Sequence, residues 1–206
     1  METKMKLENY IETVPNFPIE GIKFKDISPL LENPRAFRKC IDQMTQIYKN
    51  EKIDKIASFG ARGYIFASVL AYKLNLPHVL IRKKGKLPKK TVGVTYSGEY
   101  ADASIEMHVD SVNSGERVLL VDDVIAVGEC MRAGCQLVEK LKGVVMGCFS
   151  VIEFTDLGSQ SRLAKYDVKS LIKCEKWRKI EEKIINATFK WLTSGWRRYE
   201  NDNKYK

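Results

Sequence analysis

Residues 118–130 join a strongly apolar run to two adjacent acids and a glycine-containing loop, reading Val-Leu-Leu-Val-Asp-Asp-Val-Ile-Ala-Val-Gly-Glu-Cys. The apolar run predicts a buried parallel strand over 118–121 that places Asp122 and Asp123 at its carboxyl end. A helix is predicted to begin near Met131, after a short loop. In open α/β sheets, ligands bind at the carboxyl ends of strands, and the free N–H groups of a helix N-terminus bind phosphate. Because adjacent carboxylates can accept hydrogen bonds from a sugar diol, this segment predicts a ribose 5-phosphate site.

The rest of the chain alternates between predicted strands and predicted helices. The predicted strands cover 55–59, 78–81, 117–121 and 144–154, and the predicted helices cover 34–49, 62–75 and 131–142. A period-2 pattern in 91–97 and 103–109 predicts a hairpin that projects from the sheet. Nearer the N-terminus, residues 5–14 are predicted to form a short amphipathic helix and residues 17–26 a loop. The β-α-β order predicts a Rossmann-like α/β fold, with a mostly parallel sheet flanked by helices.

Composition restricts the class of protein and its expected partners. A chain of 206 residues with 44% hydrophobic and 30% charged residues is typical of one soluble domain. No apolar run approaches the roughly 18–20 residues that span a bilayer, and the first ten residues lack the apolar core of a secretory signal. A cytoplasmic protein without membrane contact is therefore expected. The net charge of +9 is spread along the chain and suits phosphate ligands, so no nucleic-acid partner is expected.

Cysteine and histidine do not predict a metal site. The five cysteines contain no Cys-x-x-Cys pair and are expected to be reduced. The two histidines, His78 and His108, lack the spacing of metal ligands. Protein side chains are therefore not expected to hold a metal.

The segment 118–130 resembles the signature of the type I phosphoribosyltransferases, which bind phosphoribosyl pyrophosphate (PRPP). The family pattern is an apolar strand, two acids, two apolar residues and then Ala-Thr-Gly-Gly-Thr. In this chain those last five positions are Ala126, Val127, Gly128, Glu129 and Cys130. The resemblance implies that Asp122, Asp123 and these five residues bind the ribose phosphate of PRPP or AMP. Three positions differ from the pattern, because both threonine hydroxyls are missing and a glutamate replaces the second glycine.

Two further segments narrow the resemblance to the adenine phosphoribosyltransferases. The sequence Phe-Pro-x-x-Gly-x-x-Phe-x-Asp over 17–26 matches the hood over the purine, and the implied base contacts are Lys23, Phe24 and Lys25. The sequence Tyr-Ser-Gly-Glu-Tyr over 96–100 matches a flexible loop that closes over the ribose. The resemblance therefore implies catalytic roles for Glu99, as the general acid or base, and for Tyr100, as the covering residue.

Two other segments match the pyrophosphate-binding loops of the same family. They read Gly-Ala-Arg-Gly over 60–63 and Arg-Lys-Lys-Gly-Lys-Leu-Pro over 82–88. The implied pyrophosphate-binding residues are Arg62, Arg82, Lys83 and Lys86. Cationic side chains suit this task because charge-assisted hydrogen bonds are about twice as strong as neutral ones.

Taken as a whole, the resemblance implies a purine salvage enzyme that forms AMP and pyrophosphate from adenine and PRPP. It also implies a homodimer, and Mg2+ carried by PRPP rather than by protein side chains. The replaced residues Val127, Glu129 and Cys130 leave a second hypothesis open. It is a catalytically weak or inactive paralogue that acts as a nucleotide-binding or regulatory subunit.

The resemblance also divides the chain. The phosphoribosyltransferase domain is expected to span 1–173, with the hood at residues 5–34, and 174–206 form a basic, aromatic C-terminal extension. This extension is predicted to be helical. It could pack on the domain, bind a partner, or contact a membrane surface or nucleic acid.

Overall fold

The computed structural model describes residues 5–17, 23–98 and 101–174, with the backbone alone at 97, 98, 101 and 102. The elements in chain order are a 3-10 turn at Leu7–Tyr10, β1 at Glu12–Pro15, β2 at Lys23–Asp26, α1 at Ser28–Glu32, α2 at Pro34–Tyr48, β3 at Lys55–Phe59, α3 at Arg62–Leu74, β4 at His78–Lys83, β5 at Thr91–Gly98, β6 at Ala101–His108, β7 at Arg117–Ile125, α4 at Glu129–Lys140, β8 at Val144–Phe154, α5 at Ser159–Arg162 and β9 at Val168–Cys174. Within these described ranges, no helix is long and apolar enough to cross a bilayer.

Seven strands form one sheet in the order β5-β6-β4-β3-β7-β8-β9. The strands β4, β3, β7, β8 and β9 are parallel, and the β5–β6 hairpin joins the edge at β4 in antiparallel fashion. The predicted mostly parallel sheet and the predicted hairpin are therefore confirmed. The chain moves from β3 to β4 in one direction and from β7 to β8 in the other. The topological switch point, where open α/β sheets bind ligands, thus lies between β3 and β7.

Alternate residues of β7 enter two separate cores, one on each face of the sheet. Leu119 and Val121 pack in the core that includes α2 and α3. Val118 and Leu120 pack in the core that includes α4. All four side chains are fully buried. The buried strand that the continuous apolar run predicted is therefore confirmed, and it is covered on both faces. The N-termini of α3 and α4 therefore flank the switch point from opposite faces.

The N-terminus of α2 has a side-chain cap, whereas the N-terminus of α4 has none. The side chain of Asn33 accepts hydrogen bonds from the N–H groups of Arg35 and Ala36, so α2 begins with a satisfied cap. In contrast, α4 follows Gly128 and has no side-chain cap. The first N–H groups of a helix lack intrahelical partners, so those of α4 stay available to a ligand.

The predicted N-terminal structure is wrong in two places. Residues 5–14 do not form an amphipathic helix, because only the turn at Leu7–Tyr10 is helical and β1 follows it. Residues 17–26 are not wholly a loop, because β2 pairs antiparallel with β1, with Val14 opposite Phe24. The β-branched residues Thr13 and Val14 favour the extended backbone, and a second strand satisfies its hydrogen bonds.

The bounds of the central unit also differ from the prediction. β7 continues to Ile125, with Asp122 paired to Ser150 and Val124 to Ile152 of β8, so the acids lie inside the strand and not after its end. The helix α4 begins at Glu129, two residues before the predicted start. The elements α5 and β9 were not predicted at all.

Candidate active site

The acid pair lies at the switch point of the sheet. Asp122 Oδ1 accepts a hydrogen bond from the Asp123 N–H at 2.9 Å. Asp123 is 5% exposed, and its Oδ2 lies 2.9 Å from Arg62 Nε. The geometry of that ion pair is not that of a hydrogen bond, and Oδ2 accepts none within the described part of the chain. A buried carboxylate oxygen with unused acceptor capacity suits a hydroxyl donor such as ribose.

Burial raises the pKa of both carboxyls. For Asp122 burial is the main cause, and the negative charge of Asp123 raises its pKa further. For Asp123 burial is again the main cause, and the positive charge of Arg62 opposes it. The charged forms are thus disfavoured in the free protein, so hydrogen-bond donors brought by a ligand would stabilise them.

The start of α3 reaches the acids because Gly63 has no side chain. A Cβ at Gly63 would lie 2.6 Å from Asp122 Oδ1 and 3.2 Å from Asp122 Cα. This close approach brings the preceding residue, Arg62, to Asp123. A glycine at this position is therefore a packing requirement of the site.

The turn before α3 is tied to the end of β4. The Gly60 N–H donates to the Ile81 carbonyl at 3.2 Å, and the Tyr64 hydroxyl donates to the same oxygen at 2.7 Å. The peptide bond between Gly60 and Ala61 is cis. Because β4 leads into the basic loop, these hydrogen bonds hold the two predicted pyrophosphate segments side by side.

The basic loop after β4 is anchored by an acid on β6. Glu106 is buried, and its carboxylate accepts hydrogen bonds from the Gly85 N–H at 2.9 Å and the Thr91 hydroxyl at 3.0 Å. Arg82 Nη1 donates to the Lys86 carbonyl at 3.0 Å. The predicted pyrophosphate residues of this loop are exposed, namely Arg82, Lys83 and Lys86. Glu106 thus holds the loop while its cations remain accessible.

The loop before α4 turns at a glycine in the left-handed region. Gly128 has φ +92°, and a Cβ there would lie 3.3 Å from Ser159 Cα, so glycine is required on both grounds. The Tyr96 hydroxyl interacts with the Cys130 thiol. Burial, together with the nearby Asp122, raises the pKa of the Cys130 thiol to about 12. Cys130 is therefore neutral at physiological pH and does not repel a phosphate.

Glu129, which replaces a glycine of the family pattern, is held by two arginines. Its Oε2 lies 2.6 Å from Arg132 Nη2 and accepts a hydrogen bond from Arg132 Nε at 3.0 Å. Its Oε1 lies 3.2 Å from Arg162 Nε. The carboxylate charge is thus compensated within the loop, which removes the main electrostatic objection to phosphate binding at this place.

The base-binding segment contacts the acid pair through Arg62. The Arg62 guanidinium lies 5.2 Å from the centre of the Phe24 ring, and the Phe17 and Phe24 rings meet edge-on with centroids 5.2 Å apart. Lys25 Nζ donates to Thr13 Oγ1 at 2.8 Å, so the Lys25 side chain lies against β1. Of the three predicted base contacts, Phe24 is therefore the one that the structure brings to the acids.

Comparison with known proteins agrees with this geometry. A family model described as the phosphoribosyl transferase domain matches residues 26–186. The chain is 45% identical over 171 residues to adenine phosphoribosyltransferase of Desulfosudis oleivorans, which covers 83% of this chain and 99% of that protein. The chain belongs to the adenine phosphoribosyltransferase family. A second member, from Kosmotoga olearia, is 44% identical over 168 residues, covering 82% and 99% of the two chains.

Solved structures of adenine phosphoribosyltransferases share the fold. The enzyme of Thermoanaerobacter pseudethanolicus gives a TM-score of 0.79 at 41% identity, covering 82% of this chain and all of that chain. The Saccharomyces cerevisiae enzyme, solved with adenine and an imino-altritol bisphosphate, gives 0.76 at 35% identity, covering 80% and 96%. The similarity therefore extends over nearly the full length of these structures.

Three residues that support the adenine phosphoribosyltransferase site were not predicted from the sequence: Glu106, Arg132 and Arg162. A glutamate on the polar side of an alternating strand and a Glu–Arg pair three residues apart were the available signals. Arg162 gave no local signal, because it reaches Glu129 from α5. The predicted catalytic residues Glu99 and Tyr100, and the predicted extension from residue 175 onward, lie outside the described residues.

Proposed function

We propose that this chain is an active adenine phosphoribosyltransferase that forms AMP and pyrophosphate from adenine and PRPP. The observation that carries the proposal is the buried acid pair at the switch point, with Arg62 on one side and the uncapped N-terminus of α4 on the other. In the reaction the bond from ribose C1 to pyrophosphate breaks and a bond from C1 to an adenine nitrogen forms. The proton of that nitrogen must leave, and Glu99 is the proposed acceptor.

Each proposed role matches the chemistry of its residue. Asp122 and Asp123 accept hydrogen bonds from the ribose hydroxyls. The N–H groups of residues 126–130 bind the 5-phosphate. Phe24 stacks on the adenine ring. The half-buried Arg62 and the exposed Arg82, Lys83 and Lys86 bind the leaving pyrophosphate.

We also propose that Mg2+ binds together with PRPP. It prefers oxygen ligands, keeps several waters and usually binds through substrate phosphates with few protein carboxylates. The unused Oδ2 of Asp123 fits such a neighbourhood, since it can accept a hydrogen bond from ribose or from a bound water. When bound, the ion would neutralise the charge that develops on pyrophosphate.

A homodimer is also proposed, on the basis of exposed apolar side chains on neighbouring elements. Tyr72 on α3 is 84% exposed, and Ile65 on α3 and Leu80 on β4 are exposed as well. Ile65 and Tyr72 are seven residues apart and so lie on one face of α3, and exposed apolar surface of this kind marks protein interfaces. Size-exclusion chromatography with light scattering should give a dimer, and Tyr72→Glu should weaken it, whereas Val144→Glu, at an exposed apolar position on β8, should not. A wild-type monomer at micromolar concentration would contradict the proposal.

A cytoplasmic location is proposed from the thiols. All five cysteines are free, which is typical of proteins in a reducing compartment.

An assay of AMP formation from adenine, PRPP and Mg2+ tests the function. We expect turnover, and we expect Asp123→Asn to reduce kcat/KM for PRPP at least about tenfold, because the charged acceptor is lost. The control is Asp110→Asn, which changes an exposed aspartate. No AMP at millimolar PRPP would refute the enzymatic proposal and favour the non-catalytic paralogue.

A further inference from the structure

The ion pairs of Glu129 place two guanidinium groups around one carboxylate at the start of α4. The Glu129 side chain is only 16% exposed, so its contacts with Arg132 and Arg162 are partly shielded from water. Two cations against one anion leave a net positive charge beside the phosphate loop. A glutamate that would repel phosphate on its own thus becomes the centre of a cationic cluster.

Arg162 is the member of this cluster that lies against the loop itself. Its Nη1 donates to the Val127 carbonyl at 3.5 Å and to the Leu157 carbonyl at 3.0 Å. Its Nε faces Glu129. Within the described part of the chain Nη2 donates no hydrogen bond, and the side chain is 37% exposed. The guanidinium therefore keeps a donor available beside the start of α4, whose first N–H groups lack intrahelical partners.

The same loop lacks the two hydroxyls of the family pattern. The Val127 side chain has no hydrogen-bond donor, and the Cys130 thiol interacts with Tyr96. A guanidinium is well suited to compensate, since it donates in a planar fork that matches a phosphate. The guanidinium of Arg132, by contrast, donates to Glu129 from the next helical turn and to no loop carbonyl within the described part of the chain.

We propose that Glu129 is a positioning residue that fixes Arg162 beside the loop, so that Arg162 donates to the phosphate monoester of the substrate in place of the missing hydroxyls. This inference rests on the proposed function, because it assigns the 5-phosphate of PRPP to this loop. A positioning role for Glu129 and a simple repulsion of phosphate by Glu129 predict opposite effects of removing the Glu129 charge. If Glu129 positions Arg162, removing its charge weakens phosphate binding; if Glu129 only repels phosphate, removing its charge strengthens binding.

The test measures ribose 5-phosphate binding by calorimetry, together with KM for PRPP and kcat. Arg162→Gln should weaken ribose 5-phosphate binding about tenfold to a hundredfold, the loss expected for a hydrogen bond between charged groups. Glu129→Gln should weaken it about threefold to tenfold by freeing the guanidinium. KM for PRPP should rise in parallel while kcat stays within about twofold, which a general structural defect would not produce. Arg38→Gln, which changes an exposed arginine on α2, is the control and should change binding less than about threefold.

Two outcomes would overturn the inference. One is tighter ribose 5-phosphate binding in Glu129→Gln, and the other is unchanged binding in Arg162→Gln. In the double variant, Glu129→Gln should cause no further loss, because its effect acts through Arg162. If Arg162→Gln does not fold, Arg162→Lys keeps the charge but loses the fork and should still bind less tightly than the wild type.

Failure of the inference and failure of the function give different results. AMP formation with unchanged binding in Arg162→Gln would refute the inference alone. Ribose 5-phosphate binding that depends on Arg162, without any AMP formation, would refute the enzymatic function alone.

Discussion

Adding one methyl group at Gly63 should damage both the stability and the activity of this protein. Gly63 is the second residue of α3, and its Cβ would lie 2.6 Å from Asp122 Oδ1, 3.2 Å from Asp122 Cα and 3.3 Å from the Val121 carbonyl oxygen. Two of these three atoms belong to the backbone of β7. Rotation of one side chain therefore cannot relieve the contact, and α3 must move away from the central strand.

The size of the effect follows from these contacts. Overpacking in a well-packed region costs about 1–3 kcal/mol, because backbone or side chains must shift. If Asp122 moves instead, its hydrogen bond with the Asp123 N–H is lost at a cost of about 1 kcal/mol. Either response displaces the acid pair from Arg62 and the phosphate loop. Because about 1.4 kcal/mol corresponds to a factor of ten, kcat/KM for PRPP should fall about tenfold or more.

Urea denaturation and steady-state kinetics with varied PRPP check both parts of this prediction. Gly93→Ala is the matched control, because a Cβ on Gly93 of β5 would meet only the Ile105 carbonyl oxygen, at 3.6 Å. That distance is an ordinary contact, so the control should keep its kcat/KM. Equal stability and equal kcat/KM in the two variants would refute the packing argument.

Three further predictions concern protonation. The pKa of Asp122 is raised by burial and by Asp123, so folding stability falls as pH rises from its unfolded value toward the raised folded value. Asp122→Asn should therefore raise the urea midpoint more at about pH 8 than at about pH 4. The same substitution should lower kcat/KM at least about tenfold. An equal rise of the urea midpoint at the two pH values would contradict this prediction. Burial lowers the pKa of His78, so the stability that this residue contributes is present above about pH 6.5 and is lost as the pH falls below it. The urea midpoint should therefore fall less on acidification in His78→Gln than in the wild type. An equal fall in the two proteins would contradict this prediction. Because the pKa of Cys130 is about 12, its alkylation by iodoacetamide, followed by peptide mass spectrometry, should stay slow up to about pH 10. Reaction at the rate of free cysteine would contradict the raised pKa.

The central sheet could be predicted because its signals are local. The alternation in 91–97 has the period of two that predicts a strand, and the short apolar run 118–121 predicts a buried strand through its length and its valines. The order of these elements then limits the topology to a few arrangements. The first strand pair could not be found in this way, since Thr13 and Val14 pair with residues whose extended backbone is fixed only by that pairing.

The candidate site also has one part that local sequence predicts and one part that it does not. The acids, the basic loop and the glycine-containing turn are contiguous in sequence, so their spacing was visible before the structure was known. The neutralisation of Glu129 was not visible in full, because Arg162 reaches it from α5, more than thirty residues further along. The sequence alone therefore shows a glutamate at position 129 without the two arginines that compensate its charge.

Arg62 shows why the two halves of the site cannot be treated as independent. One guanidinium lies over the Phe24 ring and pairs with Asp123, so the base segment and the ribose acids share a single cation. Arginine has five donors in a fixed plane, so it can keep the Asp123 contact and still bind pyrophosphate with the remaining N–H groups. A lysine has one small charged group and no planar face to stack on the ring. The three proposed tasks at position 62 therefore require arginine specifically, and losing it would uncouple adenine binding from PRPP binding as well as weaken each.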